Sequence, residues 1–443
     1  MDFNYLDFYR HDFKRSDIFK ALSSVSPVSL GRLQRDYEKE GFGVTDSLWQ
    51  LRRRTTAEYF SKVYRAQTEA LTYSKKVFPT YKFIMPDALA DDWLSTVDWH
   101  KKYPTRDHSL HQTLTAYIVA KLLGNGESKY SLMLPNGKRL LDYCVEVMLQ
   151  GRRMEYFRNY AMSIGTDFEN LGVKMKEMWA KDVFYEAAII SALFHDMGYP
   201  WQYVNKLAKS VEVAEYSETM TMVSNAHAAK NAMRNRLLIY PFYGYSEVNI
   251  KHASSTYDKE VETLIDRALK ESHGLPGALG FMCLNDKIRN YRQIPSLQES
   301  SYRLILDYAS MGIMMHDMEG LYWDNKAKEM PKHSMLRLSF DVDPLSSLIS
   351  MADILEEFQR PSAKFERIGG GDVGLEYNFP CEETRIRIRN GVLHIIYRYK
   401  SNALAGENRK RRKTEVKEYF ESRNGYVDLT SLGIKDTVCE VIW

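Results

Sequence analysis

The stretch AAIISALFHDMGYPW, residues 187–201, decides how the rest of the chain is read. Its first eight residues are apolar or small, which predicts a helix buried on every side. The run delivers His195 and Asp196 side by side, and Gly198 and Pro200 then stop it. An imidazole and a carboxylate next to each other at such a stop can both turn toward one metal ion. The dipeptide recurs at His316-Asp317, and either copy alone equally describes a helix-end histidine beside a capping aspartate. Whether it is a site depends on what other ligands fall in order around it.

The 443-residue chain is long enough for a large domain with an appendage, or for two domains. Lys plus Arg at 61 against Asp plus Glu at 58 leaves a net charge of +3, too balanced for a protein whose main task is coating nucleic acid or anionic membrane. Cys144, Cys283, Cys381 and Cys439 lie far apart with no paired spacing, which argues against a zinc knuckle or a secreted disulfide framework and for a reducing cytoplasm. The opening MDFNYLDFYRHDFKR has no signal-peptide pattern, and no apolar run approaches the ~18 residues of a membrane span.

Residues 1–105 read as an N-terminal helical extension, with helices over 30–40 and 48–73. From Asp107 onward, Leu110, Leu114, Ile118 and Leu122 form a helical stripe that ends at Gly124. Further helices are predicted over 183–195, 258–270, 274–288, 301–317 and 344–359. After Arg360 the texture changes. Pro361 and the glycines at 369–371 and 374 lead into alternating strand-like runs over 384–399, with Asn390-Gly391 between them as a hairpin turn. Strand character returns over 427–432 and 437–443, so a small α+β domain is expected over 362–443. The basic run ENRKRRKTEVK, 407–417, reads as a solvated helix or loop, with a nucleic-acid or phosphate contact as the lesser reading.

Within the helical body, His108 and His111 open one helix, His195-Asp196 close another, and His273 stands at a helix start. His316 ends a helix and Asp353 sits within the last one. Each is flanked by apolar residues, where an unpaired polar group costs free energy and needs a partner. One buried histidine is usually structural. Five spread over four helices, with two aspartates, suggest a shared polar centre.

This order on a helical scaffold resembles the HD superfamily of metal-dependent phosphohydrolases. The likeness is carried by RDHSLHQTLTAYIVAKLLG at 106–124, ALFHDMGYP at 192–200, ESHGLPGAL at 271–279 and DPLSSLISMADILEEFQRP at 343–361. It implies a mainly α HD-type bundle over 106–361, between the N-terminal extension and the C-terminal α+β domain. It also implies a first metal held by His111, His195, Asp196 and Asp353, with Asp196 bridging to a second held by His273 and His316. His227 competes with His273 for its position, and the His-Gly context favours His273. His108 competes with His111. Counting from His111 places Thr115, Ile118, Val119 and Leu122 inward, a drier stripe than the Gln112, Thr115, Ala116 and Val119 that follow His108, which favours His111. By similarity His108 becomes a general acid for the leaving oxygen; its alternative is an N-terminal partner of Asp107.

Mixed imidazole and carboxylate ligands suit Mn²⁺, Fe²⁺, Co²⁺, Ni²⁺ or Zn²⁺ without selecting among them. Two such ions, about 3.5–4 Å apart, would generate a hydroxide and neutralise phosphoryl charge. Many members of the superfamily place a lysine soon after HD-x-Gly, but here Tyr199 and Pro200 follow Gly198. Substrate contacts are therefore sought at Tyr199, Arg106, Lys287, Arg289, Arg292 and Lys332. The expected activity is a cytoplasmic metal-dependent phosphohydrolase acting on a small phosphorylated substrate, a nucleotide or cyclic-nucleotide-like phosphoester. No membrane is expected as a partner, and an oligomer is compatible with the reading. The alternatives are a di-iron oxygenase on the same fold and a metal-stabilised regulatory or binding module.

Overall fold

The structure is a computed structural model and describes residues 1–8, 108–150, 154–155, 158, 170, 172–196, 198, 272–279, 281, 296–317, 337–356, 362–367, 373–378, 380–422 and 425–443. The helices expected over 30–40, 48–73 and 258–270 lie outside these residues. What is described is partly helical, with a small mixed sheet.

Helix α1 (His108–Leu122) buries Leu114, Ile118 and Leu122 of the expected stripe, and Val119 beside them; the Leu110 side chain lies outside the described residues. It stops where expected because Gly124 adopts φ +64° and a Cβ there would lie 2.4 Å from the Ser131 amide nitrogen. Helix α2 (Leu140–Met148) follows. Helix α3 (Val173–Phe194) starts ten residues before the helix expected over 183–195, and every residue from Glu186 to Phe194 is buried. An element apolar all round belongs at the centre of a helical group, and α3 packs against α1, α2, α4 (Ser296–Met315) and α5 (Pro344–Leu355). Close approach of α3 and α4 is made by small residues. A Cβ on Gly312 would meet Ser191 Oγ at 2.7 Å, and the Ser191 hydroxyl donates to Ala309 O at 2.9 Å.

Helix α5 begins with Asp343 as N-cap, accepting from the Ser346 amide at 3.1 Å, and with Pro344 in the first turn. It ends at Leu355, four residues before its expected end, because Glu356 has turned to φ −69°, ψ 139°. That early stop directs Glu356 inward.

The four-stranded sheet has the order β1 (Asp2–Asn4), β5 (Cys381–Arg389), β6 (Val392–Tyr399), β8 (Asp436–Ile442). The β5–β6 hairpin turns at Asn390 (φ 53°) and Gly391 (φ 74°), the paired left-handed conformation that an Asn-Gly turn supplies. Strand β8 returns parallel to β6, across helix α6 (Asn402–Phe420). Two smaller pairs are β2 (Leu338–Ser339) with β7 (Val427–Asp428), parallel, and β3 (Ser362–Arg367) with β4 (Val373–Asn378), antiparallel. The region 427–432, expected as strand, is strand only at its first two residues and turns into a 3₁₀ helix at Thr430–Leu432.

Two readings are corrected here. The N-terminal segment, expected to be helical, opens with a strand, since Phe3 pairs with Thr384 and buries its ring. The basic run 407–417 lies on α6 with Arg409, Lys410 and Lys413 exposed, but Arg412 is fully buried. No described helix is long and apolar enough to cross a membrane.

Candidate metal centre

Helix α1 carries His111 on its buried face, α3 ends on His195-Asp196, α4 ends on His316-Asp317, and the last turn of α5 carries Asp353. His273 stands just before the helical residues 274–279. Two glycine contacts bring these ends together. A Cβ on Gly198 would lie 1.8 Å from the His273 carbonyl oxygen, and one on Gly274 would lie 2.6 Å from Met314 O. Backbone therefore rests on backbone where HD-x-Gly meets His-Gly, and where His-Gly meets the end of α4.

The four imidazoles form a row. Ring centroids are 4.9 Å apart from His111 to His195, 4.9 Å from His195 to His316, and 5.0 Å from His316 to His273. Their Nε2 atoms face one another, at 3.0 Å between His111 and His195 and 3.1 Å between His273 and His316. Asp196 lies between the two halves: Oδ1 is 3.1 Å from His273 Nε2 and 3.3 Å from His195 Nε2, and Oδ2 is 3.5 Å from His111 Nε2. Asp353 Oδ1 is 2.9 Å from His111 Nε2 and 3.6 Å from His195 Nε2. The structure thus gathers all six predicted ligands. Two overlapping sets, His111 with His195 and Asp353, and His195 with Asp196 and His316, have donor atoms close enough to hold a cation.

The outer nitrogens show what the inner ones must be. His195 Nδ1 donates to Ala192 O at 2.8 Å and His316 Nδ1 donates to Ile313 O at 2.7 Å. A carbonyl can only accept, so in the neutral ring the proton sits on Nδ1 and the Nε2 lone pair points to the centre. His111 Nδ1 meets Glu356 Oε2 at 2.7 Å, and His273 Nδ1 meets Asp317 Oδ2 at 2.7 Å, an oxygen that also accepts from the His273 amide. Lone pairs aimed at each other across 3.0 Å repel; one proton shared within a pair relieves this, and protonating both members replaces it with repulsion of like charges. A cation between them satisfies every group at once, and a carboxylate or carbonyl behind each imidazole is the usual support of a metal-binding histidine. The donor set fits a divalent transition metal.

Where no cation is held, protons on the inner nitrogens take its place beside the carboxylates. Burial alone would raise the Asp353 carboxyl, yet the hydrogen bonds and charge of His111 and His195 hold it well below the usual carboxylate range. Asp317 is also lowered, since the pull of His273 outweighs burial. Burial opposes a charge on His195, but Asp196 and Asp353 outweigh it and raise its pKa. Burial, with His195 and His273 alongside, pushes His316 down to about 4. Asp353 at the His111 end and Asp317 at the His273 end each keep 27% of the side chain exposed.

His111 holds the inward position; His108 is the first residue of α1, and its side chain lies outside the described residues. His227, Arg106, Tyr199, Lys287, Arg289, Arg292 and Lys332 also lie outside them. Glu356 and Asp317 were not predicted. Asp317 stood in plain view as the second member of the repeated His-Asp pair, and Glu356 three residues after Asp353 was obscured by the expectation that the helix continued.

No protein-family model, curated protein or solved structure matches this chain.

Proposed function

We propose that this protein is an HD-type metal-dependent phosphohydrolase acting on a nucleotide or cyclic-nucleotide-like phosphoester. The observation that carries the reading is the inward convergence of four imidazole Nε2 atoms around the Asp196 carboxylate, at the ends of helices that follow the superfamily's motif order. His111, His195, Asp196 and Asp353 would hold one ion, and Asp196, His273 and His316 a second. Bound there, divalent ions such as Mn²⁺, Fe²⁺, Co²⁺, Ni²⁺ or Zn²⁺ supply an activated hydroxide and neutralise charge on a phosphoryl group.

The chain's own residues do the rest. Asp196, with an oxygen toward each half of the site, would orient the attacking oxygen. Glu356 and Asp317 keep the outer nitrogens of His111 and His273 protonated, so the inner nitrogens remain bases. The partial exposure of Asp353 and Asp317 gives a small phosphorylated substrate its approach. His108, one turn before His111, is the proposed proton donor to the leaving oxygen.

Hydrolysis of an aryl phosphodiester and a nucleotide panel with Mn²⁺, Co²⁺ or Ni²⁺ tests this. Turnover that requires both the metal and Asp196 is expected. A panel with no such turnover, together with a coloured iron-containing protein on aerobic purification, would replace this reading with a di-iron oxygenase. A colourless, metal-binding and inactive protein would replace it with a metal-stabilised binding module.

A further inference from the structure

Helix α5 presents Asp353 to the metal centre from its last turn, where backbone carbonyls have no partner within the helix. Three consecutive carbonyls there are met by side chains from the sheet and its helix. Ile354 O accepts from Arg412 Nη2 at 2.7 Å and from Tyr397 Oη at 3.0 Å. Leu355 O accepts from Tyr5 Oη at 3.2 Å, and Glu356 O from Arg412 Nη2 at 3.4 Å. The guanidinium lies 4.1 Å over the Tyr397 ring, and its Nη1 donates to Glu415 at 2.8 Å. Tyr5 is tied in turn to Thr384 at 2.8 Å.

These capped residues bracket the chemistry. Asp353 immediately precedes the first capped carbonyl, and Glu356, which holds His111 through its side chain, carries the last. A buried guanidinium is a costly way to fill space, and apolar side chains of similar volume commonly serve stability as well. What an apolar residue lacks is a rigid fork of donors that can hold two carbonyls in fixed positions at a negative helix end. Tyr5 immediately follows strand β1, Tyr397 lies in β6 and Arg412 in α6, so the sheet and its helix are fastened to this turn from three places.

We propose that Arg412, with Tyr397 and Tyr5, is a positioning clamp through which the α/β unit aims Asp353 and Glu356 at the metal centre. The inference rests on the metal-centre reading above. Its test is Co²⁺ binding to the full chain, read by calorimetry and visible absorption, for the wild type, Arg412→Met, Arg412→Lys and the double variant Tyr5→Phe/Tyr397→Phe. Ile386→Val, a buried change in β5, serves as a control for loss of stability alone.

In Arg412→Met one Co²⁺ should bind about tenfold more weakly with an altered absorption band, the size seen when groups behind metal ligands are lost. Arg412→Lys should recover part of the affinity, and Ile386→Val should bind as the wild type does even with a lowered Tm. Should Arg412→Met fail to fold, the tyrosine pair, which removes only two hydroxyls, decides the matter by the same readout. Wild-type affinity and spectrum in the folded variants would overturn the clamp alone. A wild-type chain that takes up no Co²⁺ would overturn the metal centre, and the clamp with it.

Discussion

Glu356 Oε2 lies 2.7 Å from His111 Nδ1, and this contact turns the opposite nitrogen of the ring to within 3.0 Å of His195 Nε2. The carboxylate fixes the proton of the neutral His111 ring on Nδ1, so that Nε2 can offer a lone pair to a cation in place of the hydrogen bond it makes to Asp353. Glu356→Gln keeps the shape and removes the charge, so the ring can reverse its tautomer. A loss of 10- to 100-fold in Mn²⁺ or Co²⁺ affinity is expected, measured by competition with a chelator of known strength. Unchanged affinity would mean that Glu356 serves packing only.

Removal of metal should cost stability, because Asp196 and Asp353 and four facing imidazoles are then left without a shared counter-charge. At a free metal concentration a hundred times its Kd, binding to the native state alone adds roughly 2.7 kcal/mol. Thermal unfolding with EDTA and with Mn²⁺ should therefore give midpoints several degrees apart. The gap should shrink in Asp196→Ala, which removes the group between the two halves.

Gly198→Ala tests the backbone contact that joins those halves. The new methyl would sit 1.8 Å from the His273 carbonyl oxygen, so one segment must retreat. Overpacking of this kind costs about 1–3 kcal/mol. Because the displaced segment carries His273, binding at its half of the centre should suffer more than binding at the His111 half. Co²⁺ stoichiometry falling from two to one would show this; two equivalent ions retained would contradict it.

The legible parts of this molecule are those in which one local rule dominates. Gly124 ended its helix because only glycine fits there, and Asn390-Gly391 made its hairpin because both residues accept positive φ. The six candidate ligands were readable because each is a polar residue stranded in apolar helical text. What sequence did not disclose are relationships between distant segments. Phe3 sits in residues of helical texture, and only its pairing with Thr384 makes it strand. Arg412 looks like its exposed neighbours Lys410 and Lys413, and only the helix end waiting opposite draws it inside. Glu356 belongs to a predicted helix until Glu356 itself breaks away toward His111.

Glu186 supplies a prediction in pH. It is buried in α3, its Oε2 has no hydrogen-bond partner among the described residues, and burial together with the charge of Asp182 pushes its pKa up to about 7 from 4.5. The folded state therefore holds a proton that the unfolded chain releases near its ordinary value. Where the native state binds more protons, stability falls as pH rises. The loss begins above the unfolded value and is complete once pH has passed the folded one, so it occupies the interval from about 4.5 to 7 and then levels off. A shift of this size corresponds to roughly 3 kcal/mol. Glu186→Gln carries a neutral group at every pH and escapes the loss. Urea unfolding should then give similar stabilities for wild type and variant near pH 4.5, and a more stable variant, by up to roughly 3 kcal/mol, at pH 8. A difference between the two proteins that stays constant across this range would show that Glu186 ionises in the folded state as it does in the unfolded chain.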